Sequence, residues 1–127
     1  MTALSAGIYS KLSAGLSVGT RVYPSRLHQG ATLPAVVYQL IPSEGPIYTN
    51  DGDTLTDRAR VQFDCWADTY EGAVALHDEL RALISGDSGA WGSVTVDHCF
   101  LDSPGQDDDD EKTGTFRRIT DALIQYH

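Results

Sequence analysis

The stretch "DRARVQFDCWA", Asp57 to Ala67, constrains the fold more than any other part of the chain. Ala59, Val61, Phe63 and Cys65 fall on one side of a period-two alternation. Arg58, Arg60, Gln62 and Asp64 fall on the other, and Trp66 shares their parity. That is a strand with one dry face. A helical pattern follows at once, with Ala73, Leu76, Leu80, Leu83 and Ile84 on one face and a stop at Gly86. Asp68 and Glu71 have the spacing of a capping box at its start. A strand and a helix with one apolar face each bury those faces against one another.

The rest of the chain adds compatible pieces. Leu4, Ile8, Leu12 and Leu16 predict a helix from about Thr2 to Ser13, ending near Gly15. Arg21 to Tyr23 reads as a short strand stopped by Pro24. "AVVYQLI", Ala35 to Ile41, reads as a strand covered on both faces. A short extended piece is expected at Ile47 to Thr49, and "SVTVDHCFL" and "GTFRRITDALIQY" complete the strands. The order is helix, two or three strands, helix, two strands. It predicts a single α+β domain over residues 1–127: one mostly antiparallel sheet with two helices packed on one face. At 127 residues the chain is long enough for one core and too short for two ordinary ones. Two loops, Pro24 to Pro34 and Pro42 to Asp53, are too long for tight hairpins, and at least one is expected to reach a partner.

Charge is concentrated rather than spread. The net charge is −9, and six of the negative charges lie between Asp102 and Glu111, which leaves the remainder near −3. Such a surface argues against stable binding to a nucleic-acid backbone, which requires Lys and Arg to displace counterions. Asp107, Asp108, Asp109, Asp110 and Glu111 lie between the last two strands and are expected at a solvated hairpin tip. As a calcium loop, the nearest register starts at Asp109. It places Thr120 where a bidentate glutamate belongs and encloses Arg117 and Arg118, so no dedicated metal site is expected.

Other chemistry is missing its residues. "GDSG", Gly86 to Gly89, follows a helix directly and reads as its C-terminal punctuation rather than a nucleophile. His98 and Cys99 are neighbours in a strand and face opposite ways. No C-x-x-C or H-x-x-x-H spacing occurs, and Cys65 and Cys99 read as buried thiols. No catalytic, metal or cofactor-binding residue is expected. No apolar run approaches the ~20 residues that span a bilayer, and the N-terminus lacks the pattern of a signal peptide. Synthesis in a cytoplasm is the default.

Three segments together resemble a known family. They are a V-Y-P turn at Val22 to Pro24, a P-x-V-V-Y strand at Pro34 to Tyr38, and an R-V-Q-Φ-D-x-W-A strand at Arg60 to Ala67 running into a capped helix. "KTGTFRRITDALIQY" is similar to the closing strand of the same family. These segments resemble the tail-completion, or tail-terminator, proteins of long-tailed phages and phage-derived gene-transfer agents. The resemblance implies a homo-hexameric ring at the head-proximal end of the tail tube. Such a ring stops tube polymerisation and meets the tube protein on one side and a head–tail connector or neck protein on the other. DNA is a partner only in transit, and no membrane, cofactor or catalysis is implied. The acidic segment departs from the family's shorter, often aromatic-containing segment, so its role is not inherited.

Two sets of residues follow as candidates. Arg58, Arg60, Gln62, Asp64 and Trp66 form a candidate subunit interface, because an aromatic flanked by arginines is typical of an anchor. Asp107, Asp108, Asp109, Asp110 and Glu111 form a candidate lumen loop, whose negative charge repels passing phosphates. The competing reading is a small acidic cytoplasmic binding or regulatory domain whose Asp loop engages cations or a basic partner.

Overall fold

The computed structural model describes residues 3–27, 30–41, 47–48, 54–102, 105–110 and 114–127. Most of the expected Pro42–Asp53 loop, and Glu111 of the acidic run, lie outside the described residues. The elements run α1 (Ala3–Gly15), β1 (Val22–Pro24), β2 (Ala35–Ile41), β3 (Ile47–Tyr48), β4 (Thr54–Ala67), α2 (Tyr70–Ile84), β5 (Gly89–Trp91), β6 (Val94–Leu101), β7 (Gln106–Asp110) and β8 (Thr115–Tyr126). This is the expected α+β architecture.

The strands form one sheet in the order β1-β2-β4-β8-β6-β5, with β3 added to β4 and β7 to β8. Among the described residues only β1 and β2 pair in parallel; the other pairings are antiparallel. β4 is the spine. At 14 residues it is about 45 Å long at ~3.3 Å per residue. It pairs with β2 from Arg60 to Trp66 and with β8 from Asp57 to Ala67. β6 and β7 lie end to end along one side of β8, the first facing Ala122 to Tyr126 and the second Thr115 to Ile119.

Both helices cover the face on which Val61, Phe63 and Cys65 point, and all three side chains are fully buried. Leu4, Ile8 and Leu12 of α1 and Leu76, Leu80 and Ile84 of α2 complete the core with Val36, Tyr38, Val96, Ala122 and Ile124. Ala35 and Val37 are buried too, although alternation turns them away from Val36 and Tyr38. β2 is therefore dry on both faces from Ala35 to Tyr38, but Gln39 and Leu40 are exposed, so the expected two-sided cover stops short of its end. Gly7 lets α1 approach β5: a Cβ there would stand 2.3 Å from the Trp91 carbonyl oxygen.

Two local readings need correction. The N-cap of α2 is Thr69, not Asp68. Thr69 is extended (φ −128, ψ 154), and its Oγ1 accepts from the Gly72 N–H at 3.0 Å. Glu71 is then one position too early for a capping box and instead places its charge in the positive first turn. β5 was not expected. It is a three-residue strand carrying Trp91, whose indole N–H donates to Asp87 at 2.8 Å. Lys11 meets the same carboxylate at 3.1 Å. The "GDSG" letters thus close α2 and anchor Trp91 against α1.

Candidate functional site

The helices leave the opposite face of the sheet open, and all five residues predicted as an interface stand on it. Antiparallel partners share a face. Arg58, Arg60, Gln62, Asp64 and Trp66 are therefore joined there by Gln125, Leu123, Asp121, Ile119 and Arg117 of β8. Ile41 and Gln39 continue the row on β2, beside Arg60 and Gln62. Most of these side chains are half-buried although, among the described residues, no second layer of secondary structure covers them.

The Trp66 end is the most organised. The Arg117 guanidinium lies 5.0 Å from the centre of the Trp66 ring. Arg117 Nη1 reaches Asp64 Oδ2 at 3.5 Å, Nη2 binds Asp108, and Gln62 Nε2 donates to Asp64 Oδ1 at 3.0 Å. Asp64 is 8 % exposed. Burial raises its pKa, and the Gln62 hydrogen bond and the Arg117 charge only partly offset that. Further along, Arg60 pairs with Asp102 at 2.5 Å and Asp121 at 4.0 Å. Arg58 has no ion-pair partner among the described residues, and its Nε and the Trp66 Nε1 are buried without an acceptor. A mixed aromatic and arginine surface with unmatched donors has the composition of an interface core.

The acidic run is the arm of a hairpin rather than its tip. Asp107 to Asp110 form β7, in register with Arg118 to Thr115. The arginines explain the change, because cross-strand charge pairs offset the poor strand propensity of aspartate. Asp107 Oδ1 meets Arg118 Nη1 at 2.7 Å, and Asp108 binds Arg117. The Arg117 hydrogen bond and charge hold the Asp108 carboxyl below its ordinary range. Asp109 stands opposite Phe116 and has no cation of its own among the described residues. Asp110 is described by its backbone alone. Tyr70, at the start of α2, donates its hydroxyl to Asp107 at 3.1 Å and packs edge-on against Phe116.

Reading the sequence did not reach Arg117, Arg118, Tyr70 or Phe116 as participants. Arg117 and Arg118 stand on opposite faces of β8, and only the register with β4 and β7 reveals what they meet. No group of His, Cys, Asp and Glu among the described residues is arranged to hold a metal ion. Both cysteines are free and buried, and burial pushes each thiol up to about 12. No described helix is long and apolar enough to cross a membrane.

A helix-backed sheet with one face open, carrying an organised aromatic–arginine patch, defines an α+β subunit with a surface suited to assembly. The sequence matches the family of tail completion protein gp17 over residues 7–126, and the chain belongs to that family. It is a structural protein of a phage-type tail. In fold it is similar to a chain from the virion of a native gene transfer agent particle, with a TM-score of 0.70 and 17 % sequence identity. That match covers 98 % of this chain and 94 % of the other. No curated protein sequence matches it significantly.

Proposed function

We propose that six copies of this chain form a ring on the head-proximal end of the tail tube, ending tube growth and presenting a surface to the neck protein. The observation that carries the reading is the open sheet face. In a family of tail-completion proteins, a face with a buried Asp64, a stacked Trp66–Arg117 pair and unmatched donors is suited to subunit contact. The role is structural, with no chemical step. The acidic hairpin arm, Asp107 to Asp110, faces the channel, where negative charge keeps DNA phosphates from adhering within the ~8 Å reach of electrostatics at physiological salt.

Particles assembled without this chain test the reading. The expected outcome is heads separated from tails, with tubes of irregular length, and restoration on adding the purified protein. Electron microscopy of complete particles should show a six-fold ring between tube and neck. Normal joining without the chain would overturn the proposal, as would a ring in which Arg58, Arg60, Gln62, Asp64 and Trp66 all face solvent.

A further inference from the structure

A ring closed by six-fold rotation joins each copy to the next through two different surfaces, because only a two-fold axis lets a patch meet itself. We propose that the Tyr70 corner of one copy seats in the groove between Pro24 and Leu40 of the next. This inference rests on the ring reading and adds to it the pair of surfaces that meet.

Leu40 and Tyr70 are the large apolar side chains left exposed among the described residues, at 36 % and 50 %. They lie far apart on the helix side of the sheet. Leu40 is on β2, next to the β1 edge and opposite Val61, whereas Tyr70 packs on Phe116, opposite Ala67. That offset along β4 is about 20 Å at ~3.3 Å per residue, so one copy cannot bring the two together. Two copies in succession can.

The shapes differ in the required sense. Leu40 borders an open groove of about 360 Å³ lined also by Ser5, Pro24, Ser25, Tyr38 and Gln39. Tyr70 projects beside a smaller hollow of about 160 Å³ lined by Asp107, Asp108, Asp109 and Phe116. The exposed half of the Tyr70 side chain entering the groove removes roughly 100 Å² of its own surface from water, while its hydroxyl stays on Asp107.

Charge matches in the same orientation. Arg26, next in the chain to the groove residue Ser25, is exposed and has no carboxylate partner among the described residues. It is carried on a fixed corner. Ser25 adopts the left-handed region (φ 73), and its N–H donates to the Tyr38 carbonyl at 2.8 Å, while the Arg26 N–H donates to Pro24 at 2.9 Å. A strained non-glycine corner persists only where its surroundings hold it. On the Tyr70 side, Asp109 is the exposed carboxylate of the hollow without a cation across from it. Asp108 lines that hollow and also binds Arg117, so this contact continues into the Trp66 end of the open face.

Disulfide trapping tests the pairing. Leu40→Cys and Tyr70→Cys are introduced singly and together into the full chain, and each variant is assembled on tail tubes and oxidised. Cys65 and Cys99 are buried and stay silent. The double variant should give a ladder on a non-reducing gel up to the closed ring, and each single variant should run as a monomer. A six-fold ring seen by microscopy without the ladder overturns this pairing and leaves the ring intact. Failure to form any ring on the tube overturns both. Dimers from Tyr70→Cys alone show a two-fold contact and also overturn both. A charge swap gives an independent check. Arg26→Asp and Asp109→Arg should each reduce the trapped ladder, and the combination should restore it. A combination no better than either single change overturns the pairing.

Discussion

Arg117 spans Trp66 and the carboxylates beside it: its guanidinium sits 5.0 Å from the ring centre while its two Nη atoms reach Asp64 and Asp108. One side chain therefore satisfies a buried acid, neutralises a strand of aspartates and covers an aromatic. Replacing it with lysine keeps the charge but loses the flat stacking surface and the fork.

Arg117→Ala is expected to destabilise the folded chain by about 1–2 kcal/mol, with most of the loss coming from Asp64, left buried with only Gln62. Urea unfolding at neutral pH measures it. Arg117→Lys should recover part of that stability and little of the ring assembly, because the Lys ammonium cannot bridge both acids while lying on Trp66. Equal assembly by the two basic residues would show that charge alone is required.

His77 gives a pH signature. It is 2 % exposed in the core-facing side of α2, and its Nε2 is buried without a partner. Burial lowers its pKa below 6.5; the nearby Arg118 and Arg81 charges add to this, and Asp78 and Asp107 oppose it. The unfolded chain then takes up a proton that the folded chain does not, so stability falls as pH drops through 6.5 towards the folded value. His77→Leu should remove that slope. Comparing unfolding midpoints at about pH 7.5 and about pH 5.5 tests it, with the wild type losing more than the variant. Because no hydrogen bond to Nε2 is lost, the variant should be no less stable at the higher pH.

Gly7 is expected to tolerate no side chain. A Cβ at that position would stand 2.3 Å from a backbone carbonyl oxygen, which cannot swing aside as a flexible side chain would. Gly7→Ala should therefore cost about 3 kcal/mol, the upper part of the range for overpacking, despite the better helix propensity of alanine. Thermal unfolding measures it. Gly19→Ala, where nothing lies within 4 Å but φ is +59, should cost less and serves as the control.

How far the sequence leads depends on the distance over which each signal acts. The alternation from Ala59 to Cys65 and the helical spacing from Ala73 to Ile84 are local, and they located β4, α2 and the face each buries. The same alternation put Arg58, Arg60, Gln62, Asp64 and Trp66 on one open surface. Arg117 and Asp108 lie 51 and 42 residues beyond Trp66 in the chain, and only strand register brings them together. β7 was illegible for the same reason: "QDDDD" has no strand propensity of its own and is held by Arg117 and Arg118 across the ladder. Gly89 to Trp91 is too short to show any period. Asp68 and Thr69 both suit an N-cap, and the choice rests on which backbone adopts the extended conformation.

The acidic hairpin yields the last prediction, and the arginines change what neutralising it does. Asp107 and Asp108 are about half exposed, at 46 % and 48 %, so their pairs with Arg118 and Arg117 contribute little to stability. Replacing Asp107 and Asp108 with asparagine removes one carboxylate from each arginine pair, while Arg117 keeps Asp64. Phosphate then meets two fewer negative charges and two less shielded guanidiniums on the hairpin arm. Asp109→Asn removes repulsion and, among the described residues, strips no cation of its own chain. If the hairpin borders the DNA path, the Asp107→Asn, Asp108→Asn pair should slow DNA delivery more than Asp109→Asn, and added salt should narrow the gap by screening. Both variants should still assemble on the tube. Delivery kinetics from purified particles at two salt concentrations give the answer, and equal wild-type rates for both variants would place the hairpin away from the DNA.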